Sequence, residues 1–176
     1  MITLREIIQN IGKGQSGIAV KYILQELSRN YETIKDRIKI TNTKIMDGGT
    51  QIYSLIPSSD KPIKYDVVFW LDTDSKLTLD TKIKCYSNSP SFAYNFAYLF
   101  NQQSSLLFPE KYPNSFITMP PKMRNPYGTY GFDKHVFSCI KHIGSKKISD
   151  LIDQFQNIPV NNPVNFATKQ NELNLL

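Results

Sequence analysis

The chain has 176 residues, of which 40% are hydrophobic and 20% charged, and a formal net charge of +6. That length is enough to bury a hydrophobic core, and ten tyrosines and ten phenylalanines give the core an aromatic character. The composition excludes an intrinsically disordered chain, and no run of 18 apolar residues is present to span a membrane.

The charge is unevenly spread. Residues 1–50 hold eight basic against five acidic residues, 51–100 hold five of each, and 101–150 hold seven against three. No run of five like charges occurs, so an anionic partner is permitted without being demanded. Cys85 and Cys139 make no disulfide framework and point to a reducing compartment. The opening MITLREIIQN is too polar for a signal peptide, so a soluble protein in the cytoplasm is expected.

Thr3 and Glu6 have capping-box spacing, and Leu4, Ile7, Ile8 and Ile11 recur as on one helix face. Gly12-Lys13-Gly14 ends that helix. A second helix is predicted from Gln15 to Arg29, with Ile18, Tyr22, Ile23 and Leu27 on one side. From Thr33 to Ser87 the period changes to two: Ile34, Ile38 and Ile40 alternate with Lys35, Lys39 and Thr41, and Asp47-Gly48-Gly49 reads as a hairpin turn. Gln51–Ile56 is a strand. Tyr65–Leu71 is apolar on both faces and reads as a central strand. Leu77–Tyr86 pairs back across the turn after Leu71.

Ser91–Phe100 alternates aromatics at every second position, but Ser89-Pro90 is a good N-cap and first-turn pair, which favours a helix. Five prolines between Pro109 and Pro126 mark an irregular arm over about residues 102–126. Phe132–Ile143 and Lys146–Ile158 are two amphipathic helices split by Gly144. The Asn-rich tail 159–176 is expected to be disordered alone, so that order there would need a neighbour. The expected fold is α+β: a mostly antiparallel four-stranded meander, an N-terminal helical pair, and C-terminal helices packed against the sheet. Residues 1–158 form one domain in this reading.

Five motifs carry possible chemistry. LDTDS at Leu71–Ser75 resembles the metal-binding motif of family B DNA polymerases, and IYSLIPS at Ile52–Ser58 resembles a second element of that family. Gln51 stands where that family needs an aspartate, and too few residues separate the two matches for a nucleotide-binding helix. Asp72 or Asp74 followed by Asp80-Thr81-Lys82 has the form of a Mg²⁺ nuclease site, with Asp80 and Lys82 on one strand face. The plainer reading is a solvated hairpin whose Asp, Thr and Ser side chains bond their own backbone. Gly12–Gly17 spells G-x-G-x-x-G but follows a helix rather than a strand, so it reads as a helix break.

His135, Cys139 and His142 fall at i, i+4 and i+7, a zinc-ligand spacing that Cys85 would complete. The adjacent stripe of Val136, Ile140 and Ile143 favours simple packing instead. Lys122, Arg124, Tyr127, Tyr130, Phe132 and Lys134 interleave bases with aromatics, as single-strand nucleic-acid surfaces do; the same glycines and prolines suit a loop fastened by buried tyrosines.

The segments DVVFWLDTDS, YSNSPSF and RNPYGTYGF together resemble small virion proteins of phages of low-GC bacteria, of the head–tail junction or neck type, over roughly residues 65–143. The resemblance transfers no site. It implies a non-enzymatic structural or assembly protein without cofactor, holding copies of itself and other chains through its arm and tail. Such a protein would lie near DNA and move from host cytoplasm to virion. The alternative is a small nucleic-acid-acting protein, either a nuclease through Asp72, Asp80 and Lys82 or a single-strand DNA or RNA binder.

Overall fold

Helix formation starts where the capping signal places it. In the computed structural model, which describes residues 1–10, 20–46, 48–73, 76–121, 125, 128 and 131–146, the Thr3 backbone N–H donates to the Glu6 carboxylate at 2.8 Å. The Glu6 N–H in turn donates to the Thr3 hydroxyl at 3.2 Å. This reciprocal pair opens α1 (Leu4–Asn10). Ile2–Thr3, just before it, also form a short strand, β1. Helix α2 (Val20–Ile34) extends past the expected end at Arg29. Ile34 belongs to its buried face with Tyr31, and a 3-10 turn at Lys35–Arg37 follows. The apolar spacing of 31 and 34 fits a helix stripe, and burial in the core decides for it over the alternation read at Ile34.

Strands β2 (Lys39–Met46), β3 (Gly49–Pro57), β4 (Lys64–Leu71) and β5 (Lys82–Ser87) form the antiparallel meander. β1 pairs antiparallel with β5, so the sheet has five strands rather than four, in the order β1-β5-β4-β3-β2. Two residues are too few to carry a periodic signal. Gly48, at φ +77°, supplies the left-handed backbone of the β2–β3 turn. β5 begins later than the expected Leu77, because Thr78–Thr81 close a turn: the Thr81 N–H donates to the Thr78 carbonyl at 3.2 Å and the Thr78 N–H to the Thr81 hydroxyl at 3.0 Å. The fold is α+β.

The aromatic stretch is helical, as α3 (Pro90–Asn95) and α4 (Ala97–Gln102), with a break at Phe96. Phe92 and Phe100 are fully buried with ring centroids 5.4 Å apart. Ser89 precedes α3, but its hydroxyl makes no capping bond; it donates to Asp133 Oδ2 at 2.5 Å. Asp133 caps α6 (Lys134–Gly144), its Oδ1 accepting from the Val136 N–H at 2.8 Å. α6 lies across β3 and β4, and α2 packs against it. Residues 147–158 of the second predicted C-terminal helix, the tail 159–176, the Gly12–Gly17 motif, and Asp74 and Ser75 lie outside the described residues.

The described part of the expected arm, residues 102–121 and 125, is folded onto the domain, with α5 (Asn114–Thr118) against α4. The outer edge of β5 explains why. Beyond the β1 pairing at Ile83, the Cys85 N–H donates to the Ser105 carbonyl at 2.8 Å, and the Leu107 N–H donates to the Cys85 carbonyl at 2.9 Å. One register step further, the Tyr112 hydroxyl accepts from the Ser87 N–H at 3.0 Å and donates to the Ser87 carbonyl at 2.8 Å. Every second residue of this edge thus finds a partner, and Leu106 and Tyr112 are buried in the process.

Candidate nucleic-acid interface

Strand alternation separates the sheet into two faces. Ile52, Ser54, Ile56, Val67, Phe69, Leu71, Ile83 and Cys85 are fully buried on one face. There the Cys139 thiol donates to the Ser54 hydroxyl at 3.3 Å, and the His135 ring lies against Tyr65 with centroids 4.3 Å apart. Register brings a different set together on the other face. Lys44, Gln51, Trp70 and Lys84 stand side by side across four strands, and Asn42, Tyr53, Val68 and Tyr86 form the next row. Tyr53, Trp70 and Lys84 are half-exposed.

Lysines lie over the aromatic rings of this face. The Lys44 Nζ is 5.8 Å from the Tyr53 centroid, Lys84 is 5.5 Å from Trp70, and Lys111 is 5.3 Å from Tyr86 and 4.9 Å from Phe108. None of the three lysines forms an ion pair among the described residues. Exposed cation–π contacts are worth about 0.5–1 kcal/mol each. A stacked nucleobase contributes about 1–3 kcal/mol. An incoming base can therefore replace an ammonium on a ring, and the released ammonium can meet a phosphate.

Carboxylates flank both ends of this face: Asp72 follows Leu71 at the Trp70 end, and Asp66 and Glu110 lie at the Tyr86 end. Asp66 is held by Asn88, whose side-chain amide donates to it at 3.1 Å, and Glu110 neighbours Lys111. Burial, followed by the nearby charges of Asp66 and Glu110, pushes the Tyr86 phenol up to about 12.

The residues singled out from sequence are placed otherwise. Asp80 is not on the face of β5 with Lys82, since it sits in the turn before that strand. Its carboxylate pairs with Arg5 at 2.8 Å, and the Arg5 hydrogen bond holds it below the usual carboxylate range. Asp72 Oδ1 accepts the Lys82 backbone N–H at 2.7 Å, so Asp72 closes the β4–β5 hairpin as a turn residue would. Asp72 and Asp80 thus serve different partners, and the alternative Asp74 lies outside the described residues.

His135, Cys139 and His142 share α6 but do not converge. His135 Nδ1 lies 3.2 Å from Asp133 Oδ2, Cys139 reaches Ser54, and His142 faces Tyr31 with centroids 6.4 Å apart. Burial pushes the Cys139 thiol up to about 12 and the Cys85 thiol well above its ordinary value. Among the described residues no group of three or more His, Cys, Asp or Glu is placed to hold a metal ion. Ser89 and His135 both bond the same Asp133 oxygen, which fixes all three in the core.

Lys134 is engaged by the β3–β4 connection, 3.0 Å from Asp60 Oδ1 and 3.2 Å from the Ser59 hydroxyl. The Ser58 hydroxyl and then Lys134 hold the Asp60 carboxyl below its ordinary range. Lys122, Arg124, Tyr127 and Tyr130 lie outside the described residues. The sequence reading missed Lys44, Gln51, Tyr53, Trp70 and Lys84 as a set. Their signal was there: lysines and large aromatics occupy the outward positions of consecutive strands, but β4 read as buried on both faces.

No helix among the described residues is long and apolar enough to cross a membrane. Comparison with protein-family models, curated proteins and solved structures finds no match.

Proposed function

We propose that this protein is a non-catalytic binder of single-stranded nucleic acid, working through the sheet face opposite α6. The row Lys44–Gln51–Trp70–Lys84, with its lysines lying over aromatic rings and in no ion pair among the described residues, carries this reading. The net charge of +6 supports it through long-range attraction. The bases of a single strand have exposed faces for Trp70 and Tyr53, whereas a duplex hides them.

The test is anisotropy of a labelled single-stranded oligonucleotide across a salt series. Three phosphate contacts give a logarithmic slope of about −2, so affinity falls about 20-fold between 50 and 200 mM salt. Lys44→Gln and Lys84→Gln should each reduce that slope by about 0.7. Absence of binding at low salt, or slopes unchanged in both variants, refutes the proposal.

A second reading, a structural component of a phage particle, is favoured by the outer edge of β2. Ile45 is 60% exposed and Met46 40% exposed beside that edge. An edge strand with no further strand beside it among the described residues, next to exposed apolar side chains, suits pairing with another chain. On this reading the protein is a head–tail connector or neck component that reaches the virion from the host cytoplasm. Light scattering should then show an assembly that Ile45→Lys dissociates; a monomer at all concentrations counts against it.

A further inference from the structure

We propose that a cleft at the Trp70 end of the open face is a subsite for one unpaired nucleobase, with Trp70 as its stacking platform. The inference rests on the single-strand reading above and narrows it to one place. The cleft has a volume of about 270 Å³ and is lined by Met1, Met46, Gln51, Trp70, Lys84 and Leu107. Clefts for drug-sized ligands start at about 300 Å³, so this one suits a single planar ring system.

The platform is held rigidly. The Trp70 indole N–H donates to the Met46 carbonyl at 3.1 Å, which fixes the ring's orientation over the β2–β3 hairpin. Gly49 leaves the room the indole needs: a Cβ there would lie 2.7 Å from two indole carbons. A preset ring loses little freedom when a base stacks on it.

The polar groups of the cleft suit a nucleotide. The Gln51 side-chain N–H donates to the Tyr53 hydroxyl at 2.8 Å, and the Gln51 carbonyl oxygen has no hydrogen-bond partner among the described residues. That oxygen accepts an amino or imino N–H from a base edge. Every base carries such a donor, so the subsite does not choose among bases. The Lys84 ammonium rests over the Trp70 ring in the free protein and moves to the flanking phosphate when a base takes its place. Met1, Met46 and Leu107 offer the base an apolar rim. An acidic peptide would meet Lys84 but would leave the slot beside the ring unfilled.

Trp70 is the chain's single tryptophan, so its emission reports directly on the cleft. The wild-type protein is titrated with labelled oligodeoxythymidylate of about ten nucleotides and with an abasic phosphodiester of equal length. Strand anisotropy and Trp70 emission are read together. Emission should quench along the same curve as anisotropy, while the abasic strand binds about tenfold or more weakly and leaves emission unchanged. Trp70→Phe should keep most of the affinity, and Gln51→Leu should weaken the base-bearing strand only. Binding without any change in emission, or equal affinity for the abasic strand, overturns the subsite and leaves the single-strand reading standing. No binding of either strand removes both. Equal quenching by polyglutamate overturns the subsite in favour of an acidic peptide.

Discussion

Replacing Tyr112 by Phe removes one oxygen atom from the edge of the sheet and should cost far more than a surface change. The ring would keep its packing against Tyr86 and Phe92, with centroids 5.6 and 6.5 Å away. The lost hydroxyl serves both backbone groups of Ser87, a residue with no exposure to solvent. Ser87 shares the edge-facing parity of Cys85, so strand β4 cannot take over these two bonds. A net hydrogen bond is worth about 1 kcal/mol, and a buried group left unpaired costs about 1–3 kcal/mol. With two groups affected and partial relaxation, the expected loss is about 2–4 kcal/mol, a large share of a typical total of about 5–15 kcal/mol. Burial holds the Tyr112 phenol well above its ordinary value, so the donor persists at every working pH. Urea unfolding followed by Trp70 emission and by circular dichroism should show a lower midpoint at unchanged slope, and the Ser87 amide should exchange faster. A loss below about 0.5 kcal/mol, the range of ordinary surface substitutions, would refute the edge-closure argument.

Gly49→Ala would place a Cβ 2.3 Å from the Leu71 carbonyl oxygen and 2.7 Å from the Trp70 ring. Because one obstacle is backbone, the cost should reach the upper part of the roughly 1–3 kcal/mol seen for overpacking, and an unchanged urea midpoint would contradict it. His142 is held below its ordinary 6.5 by burial and then by Lys146. The unfolded chain therefore takes up this proton first as pH falls. The stabilisation is present above pH 6.5 and is lost on acidification through and below that value. The melting temperature of the wild type should drop more than that of His142→Gln between neutral and mildly acidic pH; parallel curves would count against this. Cys85 and Cys139 are free and buried, so a thiol reagent should label both only after unfolding, and rapid stoichiometric labelling of the native protein would disprove that packing.

Local rules made some elements readable. The Thr3–Glu6 box, the Gly48 turn and the α6 periodicity each depend on residues within a few positions, and each is found where those residues place it. Other features depend on partners far along the chain. Ser89 looked like a helix cap, yet its hydroxyl is claimed by Asp133, 44 residues away. Ile2 pairs with Ile83, and Ser105 with Cys85, contacts that no window of sequence exposes. In the acidic hairpin, Asp72 bonds the local backbone as the plainer reading has it. Asp72 and Asp80 have catalytic spacing, but one carboxylate is used by the Lys82 amide and the other by Arg5. The open face was hidden because its residues come from four strands. Only the register sets Lys44, Gln51, Trp70 and Lys84 in one row.

The closure of the β5 edge and the candidate cleft are parts of one arrangement. The segment that satisfies Cys85 brings Leu107 to the cleft wall, and the β1 pairing at Ile83, on the same edge of β5, brings Met1 there too. Backbone hydrogen bonding thus demands the two segments that also give Trp70 its apolar surroundings. The Ser105 hydroxyl ties them together by accepting the Ile2 N–H at 2.8 Å. Sequence far from the Trp70 hairpin is therefore under two constraints at once: closing an edge that would otherwise recruit stray strands, and shaping the wall of a slot. A substitution such as Ser105→Ala tests this coupling. It removes the link without touching the Trp70 ring, so stability and the emission response to an oligonucleotide should weaken together. Loss of stability with an unaltered emission response would separate the edge from the cleft.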